Sequence, residues 1–311
     1  MSISMRVKLA VCLFAFASCL PAYSAMPKSQ IWLAELGEHF SAKPITENTA
    51  YFNQPLVTDS GVYYTAEVSA DGNSQTDLFF YDFQSQNTTN LTQSPVSEYS
   101  PTLHPNGEGL TTIVVEGSGK QKLWFYPFDQ ATKPSRVFEH IEPVGYHAWG
   151  SNQDLIMFIL GATESAPHTL QYTDINGHLP QILAEDIGRT LSYNRARDVF
   201  AFTYQVNGLM WFATYHRESD HIQRFFALPS QVQDYTWLDD NKVAYALDNK
   251  IYYRDLNAPK KVHLLRNLRS YCQTSISRLS FLITSWHLYA TAKIDSDILN
   301  CMLNAVHRQQ P

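Results

Sequence analysis

Bulky apolar residues recur along this chain at a nearly fixed interval. Val57, Leu103, Trp149, Tyr193, Trp237 and Phe281 are separated by 46, 46, 44, 44 and 44 residues. The last four each follow a small residue: Ala148, Ser192, Thr236 and Ser280. Within one period the apolar positions fall into short runs divided by turn residues. From Tyr99, the run to Leu103 ends at the turn His104-Pro105-Asn106-Gly107. Leu110–Val115, Leu123–Tyr126 and Arg136–Phe138 follow, with Gly117-Ser118-Gly119 as the second turn. Pro, Asn and Gly are the residues such turns require. The second run recurs at Val62–Thr65, Leu155–Phe158, Val199–Phe202, Val243–Tyr245 and His287–Ala290. The third recurs at Leu78–Tyr81, Leu170–Tyr172, Met210–Phe212 and Ile251–Tyr253, and the fourth at Thr89–Leu91, Gln181–Leu183, Arg224–Phe226 and Val262–Leu264.

Runs of this length, rich in aromatic and β-branched residues, predict strands and an all-β chain. Four strands per period of 40 to 45 residues predict the blade of a β-propeller, because a lone four-stranded sheet cannot bury its own apolar faces. Six landmarks predict a six-bladed β-propeller whose recurring bulky column packs between neighbouring blades. An orphan strand, Ile31–Leu36, precedes the first blade and is expected to return beside the last one and close the ring. The expected organisation is a leader over residues 1–25, a closing-strand segment over 26–50, the propeller over 51–292 and a tail over 293–311. Two readings of the tail stay open. Asp297–Leu303 reads as a strand of the last blade, whereas Ile298, Leu299, Met302, Leu303 and Val306 share a helical face.

The leader carries its own signal. Arg6 and Lys8, the apolar run Val7–Ser18 and then Ala22-Tyr23-Ser24 have the layout of a secretory signal peptide. Export to the periplasm or beyond is the expectation. Phe16 stands where a lipidation box ahead of Cys19 carries Leu, which argues against a lipid anchor. No later stretch approaches the roughly 18 apolar residues of a membrane-spanning helix. Of the four cysteines, Cys12 and Cys19 would leave with the leader. Cys272 and Cys301 would remain in an oxidising compartment, either as a disulfide or as two buried thiols.

Charge narrows the partners. The chain holds 23 Lys and Arg against 29 Asp and Glu, for a net charge of −6. Loss of Arg6 and Lys8 would deepen it to −8. An acidic chain without a basic run is a poor nucleic-acid binder. No nucleophile elbow, HExxH helix, glycine-rich phosphate loop or dinucleotide fingerprint is present. No Cys/His spacing suggests zinc, and no cofactor or catalytic residue is assigned.

The inner strands of a propeller line its channel. One residue before the Pro55 and Pro101 positions lie Gln54, Ser100, Tyr146, Thr190, Asp234 and Arg278, with His147 at the position itself and Asn53, Glu98 and Arg189 nearby. Together they are expected to form a ring of mixed polarity at one mouth. The ring suits a polar small molecule or a peptide end. Alternatively its members satisfy one another, as buried polar groups must.

Tyr51–Pro55, Thr76–Asp82, Ser97–Pro101 with His104–Gly107, and Gly145–Trp149 together resemble the TolB-like, WD-repeat-like propellers of exported bacterial proteins. The resemblance covers residues 31–290 and implies a binding surface rather than a catalyst. The family's separate N-terminal α/β domain has no counterpart here, and later turns lose the proline–aspartate–glycine pattern, as at Asn194–Arg197. The leading expectation is a non-catalytic, monomeric periplasmic scaffold for an envelope protein or peptide. The alternatives are a hydrolase or lactonase with a channel-bound metal, and a sensor of a small polar ligand. For the metal, Asn53, Glu98 and Asp234 are the only plausible donors, and Arg189 and Arg278 would repel the ion.

Overall fold

The computed structural model describes residues 26–36, 40–47, 50–70, 73–129, 131–151, 153–178, 180–271, 275–282 and 287–293. The expected leader, the Cys272–Cys301 pair and the tail after 293 lie outside these residues.

Strand β1 (Ser29–Glu35) and strand β2 (Ser41–Pro44) open the chain. Strands β3 (Phe52–Val57), β4 (Gly61–Ala70), β5 (Asn73–Asp82) and β6 (Thr88–Asn90) then form the first four-stranded antiparallel sheet. The second contains β7 (Ser97–Leu103), β8 (Gly109–Val115), β9 (Gln121–Pro127) and β10 (Ser135–Arg136). The third contains β11 (Val144–Trp149), β12 (Asp154–Ile159), β13 (Thr169–Asp174) and β14 (Gln181–Glu185). The fourth contains β15 (Ser192–Asn194), β16 (Val199–Val206), β17 (Leu209–His216) and β18 (His221–Ala227). The fifth contains β19 (Thr236–Trp237), β20 (Lys242–Leu247), β21 (Lys250–Asp255) and β22 (His263–Asn267). These five are built from consecutive strands. A further sheet is composite, with order β2-β1-β24-β23, where β23 is Ile276–Leu282 and β24 is His287–Lys293. In it β1 pairs antiparallel with β24, from Ser29 opposite Lys293 to Glu35 opposite His287. The chain is an all-β propeller of four-stranded blades.

Period-two alternation explains the core. Along β12, Leu155, Met157 and Ile159 pack with Ile113, Leu123 and Val144, between the second and third sheets. Ile156 and Phe158 of the same strand pack with Phe200, Phe202 and Tyr215, between the third and fourth. Both faces of one strand are therefore buried against different neighbours. Phe212 and Phe226 meet Val243 and Tyr245 in the next seam. Ala34 meets Ala244, Ala246 and Ile251, while Ile31 and Leu33 meet Val57, Val62 and Tyr64. Burial of each such side chain contributes about 1.5–3 kcal/mol.

The recurring landmarks belong to these seams, with one exception. Val57 and Trp149 are buried, and Tyr193, Trp237 and Phe281 pack at the cluster margins. Two tryptophans also donate across a seam: Trp149 Nε1 to Thr111 Oγ1 at 2.8 Å, and Trp237 Nε1 to Ser192 Oγ at 3.0 Å. Leu103 departs from the expected column. It is 39% exposed, at the rim where β7 ends. Gly61 and Gly109 mark equivalent starts of second strands. A Cβ there would lie 2.2 Å from the Tyr81 carbonyl oxygen and 2.4 Å from that of Tyr126, so only glycine lets the third strand approach.

The seam between the first and second sheets contains a polar network around Glu98, which is fully buried. Its carboxyl accepts from Ser94 Oγ, from Tyr126 Oη at 3.1 Å and from Thr92 Oγ1 at 3.2 Å. Burial pushes its pKa up to about 7 despite these donors. A pKa raised on folding stabilises the fold fully below the unfolded value, and that stability is lost as the pH rises through the folded value. We therefore expect Glu98→Gln to match the wild type near pH 4 and to exceed it by on the order of 3 kcal/mol at pH 8. Denaturant titrations of both proteins from pH 4 to 8 check this. A pH-independent gap would refute it.

Candidate functional site

The first strands of successive sheets lie side by side. β3 neighbours both β23 and β7, β11 lies between β7 and β15, and β19 lies beside β23. Several of them contain one extra residue at the same level. Pairing skips between Asn53 and Leu56, between Tyr99 and Thr102, between Val144 and Tyr146, and between Ile276 and Arg278. Such bulges kink a strand and re-aim a side chain. Gln54 and Ser100 occupy the left-handed region there, with φ of 56° and 57°, a conformation that costs about 1 kcal/mol or more for residues other than glycine. The cost is offset locally. Gln54 Oε1 accepts from Ser100 N and from Thr65 Oγ1, both at 2.8 Å, which ties the first sheet to the second.

These kinks surround a cavity of about 410 Å³, within the usual range of ligand pockets. Gln54, Ser100, Tyr146, His147, Arg189, Thr190, Asp234 and Arg278 all line it. Arg189 grips Asp234 in a two-point pair, Nε to Oδ1 at 2.9 Å and Nη2 to Oδ2 at 2.5 Å. Thr190 Oγ1 adds a 2.7 Å bond to Oδ1. Burial opposes the Asp234 charge, but the bonds from Arg189 and the nearby Arg278 charge hold its pKa below the ordinary value. Arg278 donates from Nη2 to Tyr146 Oη at 3.0 Å, with its guanidinium 5.1 Å from the centre of that ring. Leu56, Leu103, Leu191, Tyr193 and Leu279 add apolar surface to the lining.

Two residues expected at the mouth stand apart from this lining. Asn53 precedes the β3 kink, and its Oδ1 accepts from Gln54 N at 2.8 Å. Glu98 precedes the β7 kink and faces the seam described above. His147 touches the cavity but is buried, with Nε2 hydrogen-bonded to Thr111 Oγ1 at 2.7 Å. Burial, and then the proximity of His104, lowers its pKa to about 3, so it stays neutral near pH 7. Ser192 and Arg195 join the lining without having been singled out from the sequence. Tyr51, outside this lining, feels two of the same arginines. Burial pushes its phenol up to about 12, against the pull of Arg278 and Arg189. Its position just before β3 carries no periodic signal.

Three guanidinium groups, one carboxylate and several hydroxyls make a poor cation site and favour an anion. Among the described residues no three His, Cys, Asp or Glu side chains converge as metal ligands would.

No family model and no curated protein sequence matches this chain. Solved structures do match at the level of fold. A provisionally named TolB from Agrobacterium tumefaciens superposes with a TM-score of 0.66 at 11% identity, over 86% of this chain and 99% of that one. TolB from Acinetobacter baumannii gives 0.57 at 9% identity, over 76% of this chain and 63% of that one. A provisionally named gluconolactonase gives 0.54 at 9% identity, over 84% and 92%. At such identities the likeness shows the propeller fold alone.

Replacing Asp234 by Asn would leave Arg189 without a counter-charge beside Arg278. We expect Asp234→Asn to cost about 2 kcal/mol in unfolding free energy at pH 7. The wild-type contribution is fully present above the ordinary aspartate pKa near 4 and is lost as the pH falls through the depressed folded value. The cost should therefore shrink in acid. Thermal unfolding of both proteins at pH 7 and pH 3 checks the sign, and an equal difference at both would refute it.

Proposed function

We propose that this chain is an exported, non-catalytic scaffold whose channel mouth receives a protein or peptide partner. In this reading the composite sheet counts as a sixth blade, and β1 closes the ring against β24. The observation that carries it is the mouth itself: a cavity of about 410 Å³ whose lining mixes leucines with charged and hydroxyl groups. Its one buried histidine is neutral and committed to Thr111, which leaves no evident general base. The TolB-named neighbours support a scaffold reading, and the signal-like leader supports export.

The metal-dependent hydrolase reading gains less from the site, although one fold neighbour bears a lactonase name. An enzyme of that kind needs several oxygen ligands converging on a cation. Here the single carboxylate of the cavity is already held by Arg189.

A photo-crosslinking amino acid placed at Leu103 on the mouth, or at Ile182 on an outer strand, tests the scaffold reading in living cells. Ile182 is 57% exposed and serves as the control surface. Discrete crosslinked species from Leu103 and none from Ile182 are expected. Crosslinks from Ile182 alone would overturn the assignment of the mouth.

A further inference from the structure

Seven buried side-chain nitrogen or oxygen atoms among the described residues have no hydrogen-bond partner. Three of them belong to residues that line the cavity at the mouth: Ser100 Oγ, His147 Nδ1 and Arg278 Nε. Buried polar atoms left unpaired cost about 1–3 kcal/mol each. Polar residues with spare bonding capacity are thus gathered around one space, which makes its occupant the question.

The charges say what kind. Arg189 is matched by Asp234 in a two-point pair. Arg278 has no carboxylate partner among the described residues, and its bond from Nη2 goes to a neutral phenol. Arg195 of the lining has no carboxylate partner among the described residues either, so the cavity holds an excess of positive charge, inside a chain whose net charge is negative. Tyr146 holds the guanidinium from below by ring and hydroxyl, which orders it before anything binds. The remaining N–H groups of a guanidinium form a planar fork that matches a carboxylate.

We propose that Arg278 is the seat of a ligand's carboxylate, with Ser100 as a second donor and Leu56, Leu103, Leu191 and Leu279 receiving an apolar body. The ligand class is a carboxylic acid with an apolar substituent, either free or as the end of a peptide. A bare phosphate dianion fits less well, because it brings no apolar body for the four leucines and Asp234 lies close by. The inference rests on the mouth being a binding site, as proposed above, and adds the chemistry it selects.

Calorimetric titration of the full chain tests it with four probes: N-acetylphenylalanine, its primary amide, a tripeptide ending in phenylalanine with a free carboxylate, and inorganic phosphate. Binding of either acid at least tenfold tighter than the amide and phosphate is expected. If the free acid binds, the source is a small molecule; if only the tripeptide does, it is a chain terminus; both uphold the carboxylate seat. Arg278→Gln should weaken acid binding at least tenfold and Arg278→Lys less. Ser100→Ala, a smaller change, should weaken it severalfold and guards against misfolding of the arginine variants. Equal affinity for acid and amide, tighter binding of phosphate, no binding of either acid, or indifference to Arg278 would each overturn the proposal. Its failure is separable from that of the scaffold reading. Crosslinks from Leu103 without acid binding would leave the scaffold standing, and acid binding without those crosslinks would leave only the carboxylate seat.

Discussion

Most sheets of this chain have two apolar faces, and each such face is covered by another sheet. β12 shows the constraint most plainly, since its odd and even residues serve different seams. A four-stranded sheet with both faces apolar is insoluble alone and stable only in a row, and a row that curves back on itself leaves no end face exposed. The crowding of first strands around a central cavity follows from this packing. The cavity is the space that remains when side chains from several sheets approach one axis without filling it.

That origin explains why the site is polar. Side chains on the first strands meet neighbours across the axis as well as within their own sheet, so groups far apart in the chain can pair. Asp234 meets Arg189 and Thr190 from the preceding sheet, and Arg278 reaches a tyrosine 132 residues earlier. The bulges make this geometry reachable. By inserting one residue they turn Gln54, Ser100, Tyr146 and Arg278 toward the axis at one level.

The repeat was legible in the sequence because seam contacts recur once per blade and demand a bulky residue each time. Trp149 and Trp237 even repeat the same indole-to-hydroxyl bond. Leu103 shows the limit of that signal: a bulky residue at the right spacing can end on the rim once a strand terminates under it. The site was legible in part. Gln54, Tyr146 and Arg278, reached by counting back from the landmark, line the cavity at the kink. Asn53 and Glu98 come before it, and an inserted residue reverses which face a position presents. Nothing in the residue types of Asn53-Gln54 or Tyr99-Ser100 announces the insertion, since neither pair contains glycine. The acidic network at the first seam was hidden for the same reason.

The composite sheet has a consequence for the order of events in folding. Glu35 is paired with His287, so the first of the described strands waits for the last of them. The five sheets of consecutive strands can each form as soon as their own segment is available. The composite sheet cannot. Until β24 arrives, β1 offers an open hydrogen-bonding edge, the kind that recruits unintended partners. Pairing of such long range is slow to form, so that edge stays open for as long as the rest of the chain takes to appear.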